Sequence, residues 1–390
     1  MDPNTQQTVQ KLNASWQNYL LSAFKNIDTS TFKLAQGSLG LQTSDSSGLF
    51  LMADAVPPAT SLFDSGAVGK YSQSYANMLV ALLPETGSDL PTLLGDNYVN
   101  WINYRNDYFK TPPSQAITQE QLFGQFANAY LDPQLATKAI SAYKKQSLSQ
   151  WNQASDAYNN PGNMQNFVDS AGNKSSLRVY TPVIANAQNA INSGASATIK
   201  YDSEEQESSL TQTQISAAAS GFFDIFSGSA GFDSNTLNTK AAAQKFTIDG
   251  NIGKYATVAV QRGAWFNGAE FGRAYNAPND NTIWDPNANA GTWDSFFAQP
   301  NGTLARHVSQ LLLVSDYSIT VTSFASYSQE DYQQIKTKAS FGIWPFFSGS
   351  VSATHTTNVT LDSQGRLVTT FTLNKGLIQV WGVNVLNAPN

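Results

Sequence analysis

The residue types best suited to chemistry are concentrated in one segment, residues 261 to 305. It carries Trp265, Phe266, Trp284, Trp293, Phe296 and Phe297, interleaved with Asn267, Glu270, Arg273, Asn276, Asn279, Asp280, Asp285, Asn287 and Asp294. Flat rings stack on the C–H faces of sugars, and Asn and Asp side chains bridge sugar hydroxyls. Trp265, Glu270, Trp284, Asp285, Trp293 and Asp294 therefore form a candidate carbohydrate-binding set. A glycosidase needs two carboxyls roughly 5 to 10 Å apart, and Glu270 with Asp285 or Asp294 could supply them. The same composition also suits a long ordered loop, with Asx turns and aromatic anchors.

A second group of residues suggests contact with a surface. Phe222, Phe223 and Phe226 precede one Ser-Gly-Ser, and Trp344, Phe346 and Phe347 precede another. Both stretches are nearly free of charge. They read either as core plugs before a turn or as exposed segments that touch a membrane or a second subunit.

Common catalytic constellations are missing. The chain has no G-x-S-x-G elbow, no P-loop, no dinucleotide-binding glycine pattern and no H-E-x-x-H. Cysteine is absent, which removes thiolate nucleophiles, disulfides and Cys-based metal sites. The two histidines, His307 and His355, are far apart in sequence, so neither a metal site nor any cofactor is expected. His307, beside Arg306, is the one candidate general base. Glu204, Glu205, Glu330 and Asp331 form acidic runs that read as solvated faces, since the D-x-[DN]-x-[DN]-G calcium loop is missing.

Net charge is −6 with no basic run, which argues against nucleic acid as a partner. Charged residues are only 13% of the chain, about half the usual share. Aromatics at 12% argue for a folded chain all the same. The first residues, MDPNTQQTVQ, lack a basic start and an apolar stretch, and no apolar run approaches the roughly 20 residues of a membrane span. The expected location is cytoplasmic, or outside the cell by a non-classical route.

The elements that would position these residues fall into two regions. Residues 1–194 read as mainly helical. Pro3 opens a helix whose stripe is Val9, Leu12, Trp16, Tyr19, Leu20 and Phe24. Helices are expected over YSQSYANMLVALL and NYVNWINYRNDYF, then after the Thr118–Gln121 capping box, and from Asp132-Pro133 to about residue 156. Residues 28–70 and 159–175 read as irregular. Residues 195–390 read as β-rich, with short alternating strands such as ATIKY, YSITVTS, LVTTFTL and LIQVWGVNV. The fold class is α+β.

The β-rich region contains an apparent duplication. Ser196–Ile199 matches Ser318–Val321, Phe226–Ser229 matches Phe347–Ser350, and Phe246–Asp249 matches Phe371–Asn374. Two similar units, 196–260 and 318–385, are expected to flank the 261–305 insertion. Three function readings follow. The leading one is a non-catalytic protein acting through its surface, by self-assembly into a homo-oligomer or by partner binding. The others are a soluble, membrane-active pore-forming toxin, and a carbohydrate-binding or carbohydrate-active protein using 265–297.

Overall fold

The computed structural model describes the chain except for residues 1–2, 26, 29, 37–39, 42–44, 60–61, 65–68, 84–89, 111–116, 147–148, 169–171, 208–225, 229–233, 243, 287, 342–354 and 389–390. In chain order the helices are α1 (Pro3–Ala23), α2 (Ser47–Asp54), α3 (Tyr71–Ala81), α4 (Leu90–Leu94), α5 (Asn97–Lys110), α6 (Gln119–Tyr130) and α7 (Pro133–Gln146). They continue as α8 (Gln150–Asn159), α9 (Ile184–Asn192), α10 (Ser203–Glu207), α11 (Ser234–Ala242), α12 (Gly268–Tyr275), α13 (Trp293–Phe297) and α14 (Gln329–Lys338). Helices predominate in the N-terminal region and strands in the C-terminal region, so the fold is α+β.

A nine-stranded, mostly antiparallel sheet organises the molecule. Its strands are β1 (Phe32–Gln36), β2 (Gly40–Leu41), β3 (Leu62–Asp64), β7 (Ala195–Asp202), β9 (Phe246–Ala259), β11 (Arg306–Ser326), β13 (His355–Leu361), β14 (Arg366–Leu373) and β15 (Ile378–Asn387). Smaller ladders join β4 (Met164–Val168) to β5 (Lys174–Arg178), β6 (Tyr180–Thr181) to β10 (Gln261–Arg262), and β8 (Phe226–Gly228) to β12 (Ala339–Phe341).

β11 is the spine. One side of it pairs with β9 from Gln310 to Ser323. The other side pairs first with β15, over Arg306–Val314, and then with β14, from Ser318. Asp316 lies at this change of partner with φ 53°, in the left-handed region that Asp tolerates better than most residues.

Leu311, Leu312, Leu313 and Val314 are all buried in succession, which a strand requires when both of its faces are covered. One face carries α1, through Leu12, Trp16, Leu20 and Phe24, together with Ile248, Ile319, Phe371 and Trp381. The opposite face carries α2, α3, α8 and the 261–305 segment, with Leu311, Leu313 and Val383 beneath them. Helices α4 to α7 enclose a third core around Trp101, Phe123, Phe126 and Tyr143.

Several expectations need correction. Residues 28–70 hold β1, β2, α2 and β3, because Leu49, Phe50, Met52 and Ala53 in GLFLMAD pack into the core as a helix. β1 joins the sheet beside β15, so the sheet is not confined to the C-terminal region. Residues 159–175 hold most of the β4–β5 hairpin. The helix begun at Pro133 ends at Gln146, and α8 restarts with Ser149, whose hydroxyl accepts from the Asn152 N–H. KFTIDG and YATVAVQ are parts of one continuous strand, β9.

Other local signals hold. The Thr118–Gln121 capping box is formed in both directions. Asp132 caps α7 through the Gln134 and Leu135 N–H groups. Asp362 to Gly365 turns the β13–β14 hairpin, with Gly365 at φ 75°. β7 and β11 each lead into a helix, α10 and α14, and the segments that follow meet through β8 and β12.

Candidate functional site

Two helix faces and one loop converge on a cleft of 380 Å³. From α3 come Gln73, Ala76, Asn77 and Val80, spaced to lie on one face. From α5 come Tyr98, Val99, Ile102, Asn103, Asn106 and Asp107, again one face. Asp285, Asn289 and Ala290 close the third side. Both helices bury their other faces: α3 through Tyr71, Tyr75, Met78 and Leu79, α5 through Trp101 and Arg105.

The end of α3 holds the three sides together. The last carbonyls of a helix have no partner within it, and here each is met from a different element. The Leu79 carbonyl accepts from Trp151 Nε1 at 2.9 Å. The Val80 carbonyl accepts from Arg105 Nη2 at 3.1 Å. The Ala81 carbonyl accepts from the Asp285 N–H at 2.9 Å. Leu82 bridges Trp284, and the Leu83 N–H donates to the Ile283 carbonyl at 2.7 Å. Residues 283–285 are thus strapped alongside 81–83, which brings Asp285 to the cleft.

Among the described residues, the lining contains five amide side chains and two carboxylates over an apolar floor of Ala76, Val80, Ile102 and Ala290, and no Lys, Arg, His, Ser or Thr. Gln73 Nε2 donates to Asn77 Oδ1 at 3.2 Å along α3. Arg105 lies just behind the cleft, fully buried, where burial lowers its pKa against the opposing pull of Tyr98, Tyr143 and Asp285. Burial likewise raises the Tyr98 phenol, while Arg105 counters it. Amides both donate and accept, and ionised carboxylates accept, so the lining presents hydrogen-bond donors and acceptors side by side.

The residues singled out from sequence are mostly placed elsewhere. Trp265 is fully buried, its indole N–H on the Val179 carbonyl and its ring edge-on to Tyr75 and Tyr180. Trp284 is buried and stacks on Phe296 at 5.9 Å, with its N–H on the Ala277 carbonyl. Trp293 is half-buried and donates to the Tyr275 carbonyl. Enclosed on these terms, Trp265 and Trp284 anchor the segment and have no open ring face for a ligand. Asp294 is exposed in the first turn of α13.

Glu270 has no solvent exposure, and both its carboxylate oxygens are held by Arg273, at 2.6 and 2.8 Å. Arg273 in turn donates to the Leu83 carbonyl. Of the six proposed binding residues, only Asp285 lines the cleft. His307 is half-buried with its ring edge-on to Tyr71, and burial, reinforced by Arg262, brings its pKa down to about 3. Phe222, Phe223, Trp344, Phe346 and Phe347 lie outside the described residues, and Phe226 opens β8.

The amides of α3 and α5 were missed in the sequence. On α5 their signal is Asn103 and Asn106, which share a helix face with Val99 and Ile102. Asn is a poor helix former, so two of them on the cleft face of α5 are a local sacrifice of propensity. Among the described residues, no group of three or more His, Asp or Glu could hold a metal ion. None of their helices is long and apolar enough to cross a membrane. Comparison with models of known protein families, with curated proteins and with solved structures finds no match to this chain.

Proposed function

We propose that the chain is a non-catalytic binding protein whose cleft between α3, α5 and residues 285–290 takes a neutral, hydroxyl-rich ligand, a saccharide by chemistry. The observation that carries this is the lining itself: Gln73, Asn77, Asn103, Asn106 and Asn289 with Asp107 and Asp285, over an apolar floor and, among the described residues, without a cationic side chain. The amides and carboxylates match hydroxyls as donors and acceptors, while the carboxylates disfavour anionic ligands. The volume of 380 Å³ suits a few sugar rings. Partner binding rather than sheet-edge self-assembly is favoured because helix side chains occupy backbone groups on both β7 and β13.

A glycan array with neutral and acidic members tests this directly, followed by calorimetry on each hit. Neutral glycans should bind, sulfated and uronic ones should not, and the Asn77→Ala, Asn103→Ala double variant should weaken binding at least tenfold. Absence of binding across the array, or binding indifferent to that double variant, removes the proposal.

A further inference from the structure

We infer that Arg105 is a positioning residue of this cleft: it locks the Asn106 amide so that the ligand meets an N–H₂ donor there and never the amide oxygen. This rests on the cleft being the ligand site.

The guanidinium is fixed from several sides. Arg105 has no solvent exposure. Its Nη2 donates to the Val80 carbonyl at 3.1 Å, and its Cζ lies 4.8 Å from the centre of the Trp151 ring. The Nε and Nη2 groups also donate to Asn106 Oδ1, at 3.3 and 3.1 Å. Nη1 is buried with no hydrogen-bond partner among the described residues, so the cation depends on the few acceptors it has.

Arg offers only donors, so the group facing it must be the amide oxygen. A flipped Asn106 would set its N–H₂ against two N–H groups. With the oxygen committed, the N–H₂ is what Asn106 can offer a ligand, and Asn106 lines the cleft. Gln73 and Asn77 satisfy each other in part, and among the described residues no cation donates a hydrogen bond to Asn103 or Asn289. Asn106 is therefore the amide with a preset polarity, and it selects a ligand with an acceptor oxygen at that position.

The test compares Asn106→Asp with Asn106→Ala. Asp keeps an oxygen toward Arg105 and adds a counter-charge, but removes the N–H₂. Under the lock, Asn106→Asp melts at or above the wild-type temperature while Asn106→Ala melts below it. Equal loss in both variants overturns the lock. Neither substitution touches the buried core, so both variants are expected to fold. Calorimetry with cellohexaose, maltohexaose and chitohexaose supplies the second readout. A hexaose that binds the wild type should lose at least tenfold in affinity for Asn106→Asp, although that variant is no less stable. Unchanged affinity overturns the donor assignment. If no hexaose binds the wild type, the saccharide proposal falls, and the melting comparison still decides the lock.

Discussion

The Tyr19 hydroxyl of α1 accepts the backbone N–H of Lys200 at 2.6 Å. Lys200 lies in β7, whose only strand partner among the described residues is β9, so its outer edge is unpaired by any strand. A free strand edge is a template for pairing with another chain. A second edge strand, β13, is treated in the same way: Tyr332 of α14 donates to its Val359 carbonyl at 3.2 Å. Removing both hydroxyls, as Tyr19→Phe with Tyr332→Phe, should cost about 1 kcal/mol per hydrogen bond. It should also raise self-association, read by light scattering across a concentration series. A double variant as monodisperse as the wild type would show that the covering helices alone guard the edges.

Glu270 and Arg273 form a bidentate ion pair, with the carboxylate wholly enclosed. Deleting one partner of a buried pair leaves the other without its counter-charge, so Glu270→Ala should lower stability by about 3 kcal/mol. Glu270→Gln should cost less, because its amide oxygen still accepts from Arg273. Neither residue lines the cleft, so folded Glu270→Gln protein should bind any glycan hit with unchanged affinity. A catalytic carboxyl would instead lose turnover with stability and binding largely kept, so a hydrolysis assay beside the melting curve separates the two roles.

Much of the helical architecture was legible because helix starts are written locally. Thr118 with Gln121, and Asp132 before Pro133, cap the helices they announce. The strands of the C-terminal region were legible for a similar reason: β14 alternates buried and less buried residues along RLVTTFTL. β1 and β3 were not, since strands of five and three residues carry too short an alternation to read. β1 exists because β15 offers it an edge, and β3 because β1 does in turn, which is tertiary context.

The candidate site was legible only at Asp285. Its three sides come from residues 73–80, 98–107 and 285–290, and they meet because α3 ends on the Trp151, Arg105 and Asp285 donors. No local pattern encodes that meeting. The tryptophans of the 261–305 segment misled for a physical reason. Flat rings suit a sugar face and a protein core equally well, and Trp265 and Trp284 pack into the core.

Gly382 on β15 lies opposite Leu34 of β1, and the Phe32 ring covers the place where a Cβ would sit. An Ala methyl there would overlap that ring, so Gly382→Ala must push Phe32 aside in a well-packed core. The expected cost is about 1 to 3 kcal/mol, measured by denaturant midpoint. The companion Gly382→Ala, Phe32→Leu should recover part of it, since the smaller side chain frees the space. Equal loss in the single and double variants would place the requirement in the backbone rather than in the ring.

His307 supplies a pH dependence with a definite sign. Its pKa in the folded protein is about 3, lowered by burial and then by Arg262, against 6.5 for the free side chain. Above pH 6.5 both folded and unfolded chains hold it neutral, and it contributes no slope. As pH falls below 6.5 the unfolded chain takes up a proton that the folded chain refuses, so stability is lost progressively down to about pH 3. The slope for one proton is about 1.4 kcal/mol per pH unit at most. Tyr71 faces the ring, and burial pushes its phenol up to about 12, outside this window. His307 shares the window with carboxylates, among them Asp54 and Asp156, which burial raises from their ordinary range, so the variant comparison isolates its part. His307→Gln should flatten the melting temperature between pH 6.5 and 5, where ordinary carboxylates are still ionised. An unchanged slope in that interval would mean that the imidazole is protonated in the folded protein.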